Sequence, residues 1–163
     1  MTWEEELENI LSKVPRNGEI IFLGVGNPLR GDDGIGVKIA EDLKTSIENK
    51  ENKIKVIVVE DRIDLIPSFL AGMKPALIIM FDAMDFGGRM GEIRITSLPE
   101  ADKTISTHSL PLELMLKLAG ITAPTYVVGI QISSMEFGET ITPQVLEAGK
   151  KIVQTILGKI GEK

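Results

Sequence analysis

The sequence predicts a single α/β domain with a mostly parallel five-stranded sheet, one antiparallel edge strand and helices on both faces. Short apolar runs alternate with segments whose apolar residues recur every three or four positions, which is typical of strands alternating with amphipathic helices. Most of these short runs are apolar throughout, as parallel strands buried on both faces are. The 163 residues are enough for one well-filled core and too few for two.

In the first half of the chain, three apolar runs predict buried strands and three amphipathic segments predict helices. The predicted strands are 19–24, 55–60 and 76–81, and the last of these is the most apolar. The predicted helices are 3–14, which ends before Pro15, then 35–47 and 64–72.

The second half continues the alternation after a turn at Gly87-Gly88. Residues 91–96 alternate polar and apolar side chains, as a half-exposed edge strand does. Ser109 is a plausible N-cap for a helix over 110–119 that ends at Gly120, and residues 125–130 form another buried strand. Thr142-Pro143 begins the last helix, with a cap and a first-turn proline in their preferred places.

Composition excludes several classes of protein. There are 18 basic and 24 acidic residues, and a net charge of −6 disfavours nucleic acid or an anionic membrane as the main partner. The chain has no cysteine, so disulfides, a thiol nucleophile and cysteine-ligated zinc are excluded. Four glutamates near the start are unlike a signal peptide, and no apolar run is long enough to span a membrane. We therefore expect a cytoplasmic protein, and a monomer, since no surplus apolar helix face predicts a partner.

Polar residues that follow the predicted strands are the candidates for a site, because ligands of open α/β sheets bind beyond the carboxyl ends of the strands. They are Asn27, Arg30, Asp32 and Asp33 after the first strand, Glu60 and Asp61 after the second, and Asp82 and Asp85 after the third. Any one of them could simply cap a helix or shape a turn. Asp82 is harder to explain in this way, because it directly follows the most buried strand, where an unpaired carboxylate is costly.

His108 is the single histidine, and it precedes a predicted helix. It could be a solvent-exposed loop residue or a metal ligand. Two or three carboxylates together with one imidazole suit a borderline divalent cation such as nickel, zinc, manganese or iron. Other motifs are weak or missing: Gly24-Val25-Gly26 has leucine at the third glycine position of a dinucleotide fingerprint, and no P-loop, H-E-x-x-H or G-x-S-x-G sequence occurs.

The most specific motif of the sequence follows the first predicted strand. Residues 24–36 (GVGNPLRGDDGIG) resemble the N-terminal signature of the [NiFe]-hydrogenase maturation endopeptidases, which trim the C-terminal extension of the hydrogenase large subunit. The resemblance continues through Phe81-Asp82-Ala83, the single His108, Gly129-Ile130-Gln131 and Thr142-Pro143, so that it spans about residues 19–160. It implies a three-layer sandwich of the phosphorylase/hydrolase-like type, and it makes residues 1–17 a peripheral addition to the domain.

The resemblance also assigns roles to residues. Matched position by position, the metal-contacting and catalytic groups fall on Asp33, Asp82 and His108, with no separate cofactor-binding residue. Asp32 and Asn27 are expected to shape the loop. Many family members carry Asp-Gly after the second strand, whereas this chain has Glu60-Asp61, so the role of an acid there stays open.

By the same resemblance, the nickel arrives in the substrate, which is the precursor of a hydrogenase large subunit. The three side chains would offer oxygen and nitrogen donors to that nickel and so orient the bond to be cut. A carboxylate could activate the attacking water, as in an aspartyl protease, or the metal could polarise the carbonyl, and the sequence does not choose between these routes.

Two other functions compete with this one. A peptidyl-tRNA hydrolase-like enzyme also begins with a strand and a G-x-G-N-P turn, but it needs a basic surface for tRNA. A nickel-checking chaperone or docking module could use the same three ligands without cutting a bond, and only product formation separates it from a protease.

Overall fold

Five strands form one sheet in the order β2-β1-β3-β5-β4. The strands are β1 (Ile20–Val25), β2 (Ile54–Glu60), β3 (Leu77–Met84), β4 (Ile93–Ser97) and β5 (Thr125–Gln131). All neighbours pair in parallel except β4 and β5, which are antiparallel. The predicted fold class is confirmed. These details come from a computed structural model that describes residues 1–47, 53–104, 111–133, 138 and 140–161.

Six α-helices lie in the described part of the chain. They are α1 (Trp3–Ser12), α2 (Ile35–Ile47), α3 (Ile66–Phe69), α4 (Leu98–Thr104), α5 (Leu112–Leu118) and α6 (Pro143–Gly161). A turn of 3-10 helix precedes α2 at Gly31–Gly34, and another precedes α3 at Ile63–Leu65. None of the described helices combines the length and apolarity needed to cross a membrane.

The two faces of the sheet bury separate apolar clusters, because alternate side chains of a strand point to opposite faces. Phe22 and Phe81 belong to the cluster beneath α1, α2 and α6, and their rings stack with centroids 5.8 Å apart. Leu23 and Met80 belong to the cluster beneath α3, α4 and α5. All six residues of β1 are buried, which explains why its sequence reads as an unbroken apolar run.

The third strand extends further than its apolar run predicts. Residues 76–81 were expected as the strand with Asp82 just after it, whereas β3 continues through Met84. The pairing partners explain this difference. Pairing with β1 stops at Phe81, but pairing with β5 continues, with Asp82 opposite Gly129. Asp82 therefore lies within the strand, at the point where its neighbour on one side has ended.

Several predicted helices differ from those observed. The helix expected at 64–72 is a 3-10 turn followed by the four residues of α3, which has proline in its first turn. The helix α4 was not predicted, although Ser97-Leu98-Pro99-Glu100 fits the S-x-x-E capping-box pattern. The proposed cap Ser109 lies outside the described residues, and Pro111 precedes α5.

The N-terminal helix belongs to the core and is not a peripheral addition to it. Leu7 and Leu11 of α1 are fully buried, and α1 packs on α6 and β4. Their side chains join the cluster that includes the stacked phenylalanines. The expectation that residues 1–17 are peripheral is therefore wrong for the packing of this helix.

Gly36 brings the start of α2 directly onto the ends of two strands. A Cβ atom at this position would collide with the carbonyl oxygens of Val25 and Phe81. The helix can approach the sheet this closely only because glycine has no side chain. As a result, the loop that precedes α2 is held against the end of β3, next to Asp82.

We expect Gly36→Ala to lower the free energy of unfolding by about 3 kcal/mol or more, because backbone atoms must move to admit the methyl group. Gly158→Ala in α6 is the matched control, since no described atom beyond the adjacent backbone of its own helix lies within 4 Å of the position of its Cβ atom. The control should raise stability by up to about 1 kcal/mol through helix propensity. Denaturant unfolding measures both variants, and equal stabilities would contradict the packing described.

Candidate active site

The loop between β1 and α2 orients Asp33 through its own backbone. The N–H of Asn27 donates to Oδ2 of Asp33 at 2.9 Å, and Oδ1 of Asn27 accepts the N–H of Leu29 at 2.9 Å. Gly26 has φ +132°, and a Cβ atom there would collide with the carbonyl oxygen of Asp33. The loop therefore needs glycine at this position and a short hydrogen-bonding side chain at Asn27.

Asp32 anchors the loop to the segment after β5 and to the start of α6. It is almost fully buried, and its carboxylate accepts the backbone N–H of Thr142 at 2.7 Å and that of Ser133 at 3.2 Å. The hydroxyl groups of both residues also donate to it. A buried carboxylate satisfied in this way is a structural group. The structure thus supports a loop-shaping role for Asp32 and ties the loop to the start of α6.

The chain near Gly138 makes a second attachment to the same loop. The N–H of Gly31 donates to the carbonyl of Gly138 at 2.6 Å, and the N–H of Gly138 donates to the carbonyl of Leu29 at 2.9 Å. Arg30 and Gly138 consequently form an isolated parallel bridge. The loop is thus attached both to Gly138 and, through Asp32, to Ser133 and Thr142. Its side chains therefore project from a backbone with defined hydrogen bonds.

Asp82 occupies an environment that disfavours its charge. Burial of the carboxyl is the largest cause that raises its pKa, and the charge of Asp33 raises it further, to about 8. A hydrogen bond from the backbone of Ala83 acts in the opposite direction. Among the described groups that shift this pKa, none is a cation. Asp33 is therefore close enough to oppose the ionisation of Asp82.

The structure brings together two of the three predicted site residues. The turn that carries Asp33 contacts β3, which carries Asp82. His108 lies outside the described residues. Within the described part of the chain, no cluster of three or more His, Cys, Asp or Glu is placed to hold a metal ion. Asp33 and Asp82 supply two carboxylate groups to this edge of the sheet.

The acids at the end of β2, Glu60 and Asp61, make no described contact with this pair. The side chain of Glu60 is exposed, and its backbone has φ 59°, in the left-handed region. Its carbonyl oxygen accepts the N–H of Gly26 at 2.8 Å, so its backbone supports the loop. Neither Glu60 nor Asp61 is among the groups that shift the pKa of Asp82.

Gln131 organises the turn after β3, a role that the sequence analysis missed. Its Oε1 accepts the backbone N–H groups of Phe86 and Gly88 at 2.9 and 3.0 Å, and its Nε2 donates to Asp85 at 3.1 Å. That side-chain hydrogen bond, followed by one from the N–H of Gly87, lowers the pKa of Asp85. Asp85 is therefore a turn residue. The signal that could have revealed Gln131 is an amide at the end of an apolar strand.

The fold and the acid pair define a class of protein: an α/β domain with a mostly parallel sheet and two carboxylates at the carboxyl edge of that sheet. The family model of the hydrogenase maturation proteases matches residues 37–159, which is well over half of the chain. The chain belongs to this family of endopeptidases. The matched residues include Asp82 and His108, whereas Asp33 lies just before them.

Individual relatives agree with this assignment. A protein of Methanocaldococcus jannaschii, provisionally named a hydrogenase maturation protease, is 29% identical and covers 95% of this chain and 96% of its own. The hydrogenase 3 maturation protease of Escherichia coli is 28% identical over 85% of this chain and 88% of its own. The crystal structure of a [NiFe] hydrogenase maturation protease from Thermococcus kodakarensis superposes with a TM-score of 0.79 at 28% identity, over 96% and 99% of the two chains.

The raised pKa of Asp82 predicts how stability depends on pH. The folded protein keeps this proton up to about pH 8, whereas the unfolded chain loses it near the ordinary aspartate pKa of about 4. Stability is therefore lost as pH rises through this window. The side chain of Asp82→Asn stays neutral at every pH. At pH 8 the free energy of unfolding of this variant should therefore exceed that of the unchanged protein by at least ~1 kcal/mol, and the difference should vanish near pH 4. Unfolding of both proteins in chelator at several pH values measures this, and parallel profiles would contradict it.

The adjacent acids of the loop should differ in their effect on stability. Asp32→Ala leaves four donors of Ser133 and Thr142 without their acceptor, so we expect a loss of about 2–4 kcal/mol. Asp33→Ala removes one described hydrogen bond, from Asn27, and should cost about 1 kcal/mol. Denaturant unfolding of the two variants side by side gives the difference, and a larger loss for Asp33→Ala would refute the roles assigned.

Proposed function

We propose that this endopeptidase removes the C-terminal extension of a hydrogenase large-subunit precursor that already carries nickel, and that Asp33, Asp82 and His108 contact this nickel. The nickel belongs to the substrate, so the enzyme needs no resident metal. The reaction takes place in the cytoplasm, and the protein acts as a single-domain monomer. Binding of the precursor's metal by these side chains makes cleavage conditional on nickel insertion.

The observation that carries the proposal is the unfavourable environment of Asp82. A partly buried carboxyl group beside a second acid gains by meeting a divalent cation, because the cation compensates both the lost hydration and the repulsion from Asp33. Carboxylate and imidazole donors suit nickel that also has thiolate ligands. Two carboxylates from the enzyme leave positions on the metal for ligands of the precursor.

The chain's own residues would then bind and orient the reacting groups. Asp33 is held by the N–H of Asn27, and Asp82 is fixed in β3 opposite Gly129, so both donors have defined positions. Bridging through the metal places the bond to be cut beside the two carboxylates. One carboxylate would accept a proton from the attacking water, while the substrate's nickel polarises the carbonyl oxygen.

Membership of the protease family favours cleavage over the competing functions. A peptidyl-tRNA hydrolase-like activity does not fit a chain that matches the maturation proteases over residues 37–159 and has a net charge of −6. A docking module that does not cut its partner would share the acid pair. Relatives named as proteases support cleavage as the activity.

The test is intact-mass spectrometry of a large-subunit precursor, with and without nickel, before and after incubation with this protein. We expect loss of a C-terminal peptide from the nickel-loaded precursor alone. Cleavage indifferent to nickel would remove the proposed metal contact but keep the protease. Binding without cleavage of any cognate precursor would support the docking module.

Single substitutions test the three proposed contacts in the same assay. Asp33→Asn, Asp82→Asn and His108→Ala should each reduce processing by at least about 100-fold, because each removes a donor to the metal. Asp42→Asn is the control, since this exposed acid of α2 pairs only with Lys38 in the described structure. Full processing by folded His108→Ala would exclude that residue as a contact.

A further inference from the structure

Leu29 places a large apolar side chain in the solvent on the loop that carries Asp33. Its exposed fraction is 57%, although it lies only four residues before Asp33. The large exposed apolar residues of the described chain are Met1, Leu29, Phe69, Met90, Leu114 and Leu118. Of these, only Leu29 and Met90 lie in loops that follow the carboxyl ends of β1 and β3. Leu29 is the one on the loop that carries a proposed metal contact.

The backbone of Leu29 is fixed on both sides. Its N–H donates to Oδ1 of Asn27, and its carbonyl accepts the N–H of Gly138, both at 2.9 Å. The next peptide is also held, since the N–H of Arg30 donates to the carbonyl of Asn27 at 3.1 Å. The side chain thus projects into water from an ordered backbone. A partner that covers it loses little backbone entropy on binding.

We propose that Leu29 is a specificity-determining residue, an inference that rests on the proposed function. Its side chain contacts an apolar side chain of the precursor close to the bond that is cut. An isolated exposed leucine is ordinary on a protein surface. Leu29 differs because its backbone bonds are shared with the loop that orients Asp33. The same Asn27 that accepts the N–H of Leu29 donates its own N–H to Asp33. Both residues belong to one hydrogen-bonded loop, so a substrate segment whose nickel meets Asp33 would approach the loop that presents Leu29.

Burial of a leucine side chain at an interface contributes to binding in the ground state and in the transition state alike. Loss of the contact should consequently raise KM and leave kcat unchanged. A role in shaping the loop would instead move Asp33, so that kcat would fall. The division between KM and kcat separates the two roles.

The experiment measures kinetics of processing with the nickel-loaded precursor for the unchanged protein, Leu29→Ala, Leu29→Met and Leu118→Ala. Leu118 is the matched control, because it is 77% exposed on α5, away from the loop after β1. We expect Leu29→Ala to raise KM about 10-fold with kcat within about 2-fold. Leu29→Met should keep KM within about 3-fold of that of the unchanged protein, because the side chain of methionine is apolar and similar in volume to that of leucine. Leu118→Ala should match the unchanged protein, and thermal unfolding should show all variants folded.

Each result decides the proposal. An unchanged KM for Leu29→Ala, or an equal rise in Leu118→Ala, would overturn it, and so would a fall in kcat alone. If the unchanged protein does not cleave the nickel-loaded precursor, the proposed function fails. The affinity of the same variants for that precursor, measured by biolayer interferometry, then still tests the contact. Equal affinities of the unchanged protein and Leu29→Ala would overturn it in that case too.

Discussion

The burial of Asp82 beside a second acid at the carboxyl edge of the sheet is the constraint on which the candidate site depends. Burial and the charge of Asp33 together raise the pKa of Asp82 to about 8, a cost that the rest of the fold must offset. The fold maintains this arrangement because Gly36 lets α2 press against the ends of β1 and β3. An acid held in this unfavourable environment is what the proposed contact with a cation of the substrate requires.

Adjacent residues of one turn have separate roles in this design. Asp32 faces the interior and uses its carboxylate to join the loop, the segment after β5 and the start of α6. Asp33 remains only partly buried, with one described hydrogen bond from Asn27. Because Asp32 fixes the backbone, Asp33 can keep its position without many contacts of its own. The pair of acids in the sequence is thus one structural group followed by one group available for chemistry.

Apolar patterns in the sequence were sufficient to predict the sheet and the edge that carries the site. The runs that became β1, β2, β3 and β5 read as buried strands, and parallel order places the residues that follow β1 and β3 at the same edge. Asp33 and Asp82 were therefore expected together, and the structure brings them together.

The features that the sequence did not predict depend on contacts between segments that are distant along the chain. Pairing with β5 extends β3 past Phe81, so the strand outlasts its apolar run and Asp82 lies inside it. The turn organised by Gln131 also depends on a partner more than 40 residues away. The burial of Leu7 and Leu11 depends on the position of α6, which local periodicity does not reveal. The role of His108 stays a prediction, since that residue lies outside the described structure.

The most direct test of the central claim is X-ray absorption at the nickel edge of a nickel-loaded large-subunit precursor, alone and mixed with this protein, with the complex frozen before cleavage. We expect oxygen and nitrogen donors to join the nickel when the complex forms. The oxygen contribution to the spectrum should fall when Asp33→Asn or Asp82→Asn replaces the unchanged protein. A nickel spectrum that stays the same in a complex shown to be fully formed would contradict it.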